Sequence, residues 1–117
     1  MMTKKPLALI IEDDRDLSRL YVMLFNMTNV NLETETCFDG THALERVKQS
    51  PEPRFIVLDL HLPHVDGEVI LEEAKRNYPN SLIIIVSADV VAVDKLRRAR
   101  AADLVLSKPL DVAFFMD

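Results

Sequence analysis

The sequence predicts a doubly wound α/β domain in which five parallel strands, ordered 2-1-3-4-5, alternate with five helices. Two observations predict it. Three short apolar runs, Leu7–Ile11, Phe55–Leu58 and Leu82–Val86, are rich in Val and Ile and do not alternate with polar residues. Such runs suit strands buried on both faces, as in a parallel sheet covered by helices. The stretches between them show helical periodicity, and strand–helix alternation with right-handed crossovers is how helices cover a parallel sheet.

Leu7–Ile11 is the first strand. In Arg15–Met27 the apolar residues Leu17, Leu20, Tyr21, Leu24 and Phe25 recur at helical spacing and make the first helix. Leu32–Cys37 alternates Glu33 and Glu35 with Thr34 and Thr36, a weaker strand suited to an edge. Asp39-Gly40 opens the second helix, whose apolar residues are Ala43, Leu44 and Val47. After the third strand, Phe55–Leu58, Asp66 is the expected N-cap of a helix carrying Ile70, Leu71 and Ala74, with Pro79 beyond its end. Leu82–Val86 leads into a fourth helix over Val90–Arg100. Leu104–Leu106 is a very short fifth strand, and a fifth helix is expected from Leu110. Only Asp111–Asp117 follow, about two turns, so that helix reads as short or as cut from a longer protein. The weak strands, second and fifth in sequence, belong at the edges, which gives the flavodoxin-like order 2-1-3-4-5. Residues 1–117 read as one domain.

Composition narrows the function. With 49% hydrophobic residues in 117, one core can form without staples. The single cysteine, Cys37, has no internal partner, which fits a reducing compartment. No apolar run approaches the ~18 residues that span a bilayer, and Met1–Pro6 lacks the apolar stretch of a signal peptide. A soluble cytoplasmic domain without membrane contact is expected. The net charge of −5 argues against nucleic-acid binding. The local cluster Lys95, Arg97, Arg98 and Arg100 reads as a solvated helix face.

Ligands of doubly wound sheets bind at the C-terminal ends of the strands. Glu12-Asp13-Asp14 stands at the end of the first strand, Asp59 at the third, Ser87-Ala88 at the fourth and Lys108-Pro109 after the fifth. Glu12, Asp13 and Asp59 are expected within a few ångströms of one another, an arrangement that raises their pKa values unless a cation intervenes. A hard divalent ion such as Mg²⁺ resolves the conflict, and Lys108 adds a second positive charge. The chain has two glycines and no phosphate-cradling loop. A phosphoryl group must then be held by the metal, Lys108 and the Ser87 hydroxyl, with Asp59 as nucleophile.

The stretches that carry these residues resemble the receiver domains of two-component response regulators over essentially the whole chain. They are Leu9-Ile10-Ile11-Glu12-Asp13-Asp14, Ile56-Val57-Leu58-Asp59-Leu60-His61-Leu62-Pro63 with Asp66-Gly67, Ile83-Ile84-Ile85-Val86-Ser87-Ala88, Ser107-Lys108-Pro109, and Asp39-Gly40 with Ala43-Leu44. The resemblance implies a regulatory phosphoacceptor rather than an enzyme. Asp59 matches the phosphorylated aspartate, Asp13 the direct Mg²⁺ ligand and Glu12 an acid acting through water. His61 matches a backbone-carbonyl ligand, Ser87 the hydroxyl that senses the phosphoryl group, and Lys108 its ionic partner, before a proline bond that is usually cis. The implied donor is a phosphohistidine on a sensor histidine kinase or histidine phosphotransfer protein.

Two departures from the family pattern matter. Val105 stands where an aromatic or histidine usually switches, and Ala101 where a glycine often ends the fourth helix. A left-handed residue at Ala101 would cost about 1–2 kcal/mol. Val90, Val91, Val105, Phe114 and Phe115 are expected to form an apolar patch, on the fourth helix, fifth strand and fifth helix, for a second copy or an output domain. His61 and Asp89 are expected to flank the mouth of the site. Asp14 is read as a helix cap, Cys37 as a small edge-strand residue, and His42 and His64 as surface residues. Other readings are a degenerate receiver kept as a binding scaffold, and a haloacid dehalogenase-type phosphatase. The latter generally carries an acid two residues after its nucleophile, where this chain has His61.

Overall fold

Burial on both faces puts the three apolar runs at the centre of the sheet. The computed structural model describes residues 5–28 and 31–109. Its elements are β1 (Leu7–Ile11), α1 (Arg15–Asn26), β2 (Glu33–Cys37), α2 (Gly40–Arg46), β3 (Phe55–Asp59), α3 (Gly67–Asn77), β4 (Leu82–Ser87), α4 (Val90–Arg98) and β5 (Leu104–Ser107). All pairings are parallel and the order is β2-β1-β3-β4-β5, with the two weak strands at the edges. The fifth helix expected from Leu110, with Phe114 and Phe115, lies outside the described residues.

The pleat sorts the strand residues onto two faces. Leu9, Ile11, Ile56, Leu58, Ile83, Ile85 and Val105 share one cluster with Val47, Ile70, Leu71, Val93 and Leu96 of the helical layer. Ile10, Val57 and Val86 point the other way and pack with Tyr21 of α1. Phe25 meets Phe55 on that side, ring centroids 5.7 Å apart. Each large side chain buried here contributes about 1.5–3 kcal/mol.

Aspartates start all four described helices. Asp14 accepts from the N–H groups of Asp16 and Leu17, Asp39 from His42, Asp66 from Glu68 and Asp89 from Ala92. Carboxylates there satisfy orphan donors and suit the positive end of the helix dipole. The last turns are basic in α2 (Arg46), α3 (Lys75, Arg76) and α4 (Lys95, Arg97, Arg98). In the last of these the predicted solvated face is exposed, with Arg98 paired to Asp94 at 3.2 Å. Gly67 is fixed by close approach. A Cβ there would stand 2.5 Å from Leu60 Cα, and its N–H donates to the Leu60 carbonyl at 3.0 Å. The start of α3 is thereby pressed against the residue that follows Asp59.

Helix ends differ from the sequence reading. The fourth helix stops at Arg98, two residues before the expected Arg100. Arg100, not Ala101, takes the left-handed conformation, at φ 49°. Ala101 N–H donates to Leu96 O at 3.1 Å and Arg100 N–H to Arg97 O at 3.1 Å, a Schellman closure. Arg100→Gly is therefore expected to raise stability by about 1 kcal/mol, read as a higher urea midpoint at unchanged slope; an equal or lower midpoint contradicts it.

Val105 corrects a second expectation. It is 5% exposed and packs in the cluster with Val93 and Leu96, so it is not part of a surface patch. Val90 and Val91 are 73% and 78% exposed.

Candidate functional site

The strand register builds the site. Ile11 pairs with Cys37 on one side and Leu58 on the other, Asp59 with Val86, and Ser87 with Ser107. Glu12, Asp59, Ser87 and Lys108 therefore emerge along one edge, although 96 residues separate Glu12 from Lys108. Glu12, Asp59 and Ser87 are buried, while Asp13 is exposed. Glu12, Asp13, Asp59 and Lys108 come together here, and Ser87 stands at the neighbouring strand end, where its carbonyl accepts the Lys108 N–H at 2.9 Å.

Lys108 bridges the two buried acids. Its Nζ donates to Glu12 Oε1 at 3.0 Å and to Asp59 Oδ2 at 3.2 Å. The second oxygen of each carboxylate accepts from backbone: Glu12 Oε2 from Asp14 N–H and Asp59 Oδ1 from His61 N–H, both at 3.2 Å. Burial pushes the Glu12 carboxyl up to about 7, assisted by the Asp59 charge and opposed by the Lys108 hydrogen bond. Burial alone would lower the Lys108 ammonium, but its hydrogen bond to Glu12 and the Asp59 charge outweigh that and hold it above the ordinary lysine range. The peptide bond between Lys108 and Pro109 is cis, as the resemblance implied.

The acids fit a hard cation. Glu12, Asp13 and Asp59 each place a carboxylate oxygen within 4.8 Å of the others. An oxygen set with one exposed member leaves room for water, which Mg²⁺ retains. Ser87 Oγ accepts from Asp89 N–H at 3.1 Å, and Asp89 in turn caps α4. The His61 Nε2 and Asp89 Oδ2 atoms lie 3.7 Å apart, so these side chains face each other. Asp14 and Asp66 are caps, and His42 and His64 are exposed, as expected. Cys37 is fully buried and its thiol is pushed up to about 12 by burial.

Arg15, at the start of α1, was not marked by any sequence motif, and its Cζ stands 4.1 Å from the centre of the Phe38 ring. The available signal was a cation at the first position of a helix, where acids are favoured.

Comparison with known proteins points one way. The family model described as the response regulator receiver domain matches residues 8–116. The response regulator ArlR of Staphylococcus aureus is 32% identical over 105 residues, covering 89% of this chain and 46% of that protein. The chain spans about half the length of the curated relatives it matches. A CheY-like receiver domain protein from Methanospirillum hungatei JF-1 superposes with TM-score 0.81 at 19% identity, covering 97% of this chain and 89% of that one. The Mn²⁺-bound form of the response regulator Rcp1 gives 0.80 at 24% identity, covering 94% and 86%. These two likenesses carry the fold.

Proposed function

The chain belongs to the response regulator receiver domain family, and from that premise we propose that Asp59 accepts a phosphoryl group in a Mg²⁺-dependent reaction and so acts as a signalling switch. The carrying observation is the Lys108 ammonium bound to both Glu12 and Asp59 beside Asp13. One Asp59 carboxylate oxygen forms the new P–O bond. The P–N bond of a donor phosphohistidine breaks, and its electron pair stays on the imidazole nitrogen. Lys108 neutralises one phosphoryl oxygen and the Ser87 hydroxyl donates to another. Glu12, Asp13, Asp59 and the His61 carbonyl would hold Mg²⁺, which when bound offsets charge on the phosphoryl oxygens. A phosphorylated protein of this kind is regulatory, and its donor is a histidine kinase or histidine phosphotransfer protein. An apolar cleft of about 460 Å³ beside Lys108, lined by Leu17, Leu20, Ala88 and Pro109, supports docking of that donor.

The output path follows from Ser87 and Val105. Val105 is stiff at χ1 and buried, so it offers no second placement. A phosphoryl group that draws the Ser87 hydroxyl takes the acceptor of the Asp89 N–H with it, and Asp89 is the cap of α4. The start of α4, with exposed Val90 and Val91, is then the surface that changes for a second copy or an output domain.

Incubation with acetyl phosphate and Mg²⁺ tests the acceptor. Intact-protein mass spectrometry should show one added phosphoryl group, absent without Mg²⁺ and in Asp59→Asn. Equal labelling of that variant would sink the assignment. The lifetime of the product tests the mouth. His61 and Asp89 face each other across it and limit access of water, so exchanging both for Ala is expected to speed hydrolysis about tenfold. An unchanged rate removes them from the lifetime.

A further inference from the structure

Among the described residues, the rim of the site carries one cation that the transfer chemistry leaves unused. Arg15 is the first residue of α1, where a positive charge works against the helix dipole. Its acidic neighbours do not hold it. Asp14 and Asp39 are turned to backbone N–H groups, Asp16 pairs with Arg19, and Arg15 forms no ion pair among the described residues. It is held instead by the Phe38 ring, 4.1 Å from Cζ to centroid. Stacking restrains the plane of a guanidinium and leaves its N–H edge outward, and the side chain is exposed.

Place gives this arrangement a use. Phe38 follows Cys37, whose carbonyl accepts the Glu12 N–H at 3.0 Å, so its backbone stands next to Glu12 at the end of the sheet that bears Glu12 and Asp13. The neighbouring rim is acidic: Asp13, Asp66, Glu68 and Asp89 line an adjoining groove of about 480 Å³. Lys108 is already engaged by Glu12 and Asp59. Mg²⁺ and Lys108 offset charge inside the site, and Arg15 adds a positive charge at its rim, where an anionic phosphoryl donor first meets the exposed acids.

We propose that Arg15, steadied by Phe38, binds the anionic phosphoryl group of the donor as it approaches Asp59. The inference rests on the receiver reading given above. Arg15 contacts phosphoryl oxygens only and takes no proton. With acetyl phosphate, the P–O bond to the acetyl oxygen breaks with its electron pair leaving on acetate, while Asp59 forms the new bond to phosphorus. Phe38 is a positioning residue that acts through Arg15.

The test is the rate of Asp59 labelling of the full chain against acetyl phosphate concentration, with Mg²⁺ present, followed by intact-protein mass spectrometry. Arg15→Gln is expected to raise the half-saturating concentration about tenfold, with the saturating rate within about twofold. Arg15→Lys keeps the charge but not the stacked plane and should fall between. Phe38→Leu should raise the half-saturating concentration in part, and adding it to Arg15→Gln should change nothing more. The Arg15→Gln effect should shrink at high salt. If wild type labels and Arg15→Gln saturates at the same concentration, the inference is overturned and the receiver reading stands. If wild type takes no phosphoryl group, both fall.

Discussion

Replacing Arg46 with methionine is expected to cost about 3 kcal/mol of folding stability. The guanidinium is 5% exposed and uses all three nitrogens. Nε donates to Glu35 Oε2 at 2.6 Å, Nη1 to the Gln49 carbonyl at 2.9 Å and the Tyr78 hydroxyl at 2.8 Å, and Nη2 to the Pro51 carbonyl at 2.9 Å. The Tyr78 hydroxyl also reaches the Arg46 carbonyl at 2.7 Å and the Gln49 carbonyl. One side chain thus joins β2, the end of α2, the following loop and the residue after α3. Methionine has similar bulk, so the loss is that of polar groups left buried without donors. Glu35 is 39% exposed and can turn to water, which keeps the cost near the low end for a broken buried pair. Lysine should recover little, because a point donor cannot serve acceptors in several directions. Urea unfolding decides it: a loss under about 1 kcal/mol for Arg46→Met means the network is ornamental.

Without Mg²⁺, stability should fall as pH rises through the range from 4.5 to about 7. Glu12 has an ordinary value of 4.5 and is raised to about 7 in the fold. Between those values the folded chain keeps a proton that the unfolded chain has released, so rising pH favours unfolding. The slope approaches about 1.4 kcal/mol per pH unit and sums to on the order of 3 kcal/mol for this one group. Ionised acids bind a divalent cation and protonated ones do not. Mg²⁺ should therefore stabilise the protein much more at pH 7.5 than at pH 5. Urea midpoints at both pH values, with and without Mg²⁺, provide the check. Glu12→Gln should flatten the metal-free profile. A flat wild-type profile, or equal stabilisation by Mg²⁺ at both pH values, contradicts the account.

The centre of this fold was legible because strands buried on both faces cannot hide their composition. Helix starts were legible at Asp39 and Asp66, since a capping carboxylate is a local device. Helix ends were less so. The left-handed residue of α4 is an arginine, so no glycine marked it, and attention fell one place too far on Ala101. Acceptor, acids and lysine could be read because each stands at a strand end. The direction of Val105 could not, because Leu104, Val105 and Leu106 are all apolar and give no parity. Arg46 was equally silent. A basic residue in a last turn suits the helix dipole, and nothing local says that it is buried.

The orientation of the four described helices has an electrical consequence. Their aspartate caps lie on the side of the sheet that carries Glu12, Asp13 and Asp59, and Lys75, Arg76, Lys95, Arg97 and Arg98 occupy last turns at the other ends of α3 and α4. The helix-end charges and helix dipoles of α3 and α4 thus point one way along the sheet. A partner with a polarised surface would feel that orientation before contact. Screening confines that influence to about the last 8 Å of approach at physiological salt. A dianionic phosphoryl group in place of a carboxylate makes the acidic end more negative by about one charge. Modification of Asp59 would then alter how the molecule tumbles into an encounter, as well as the shape it presents on arrival.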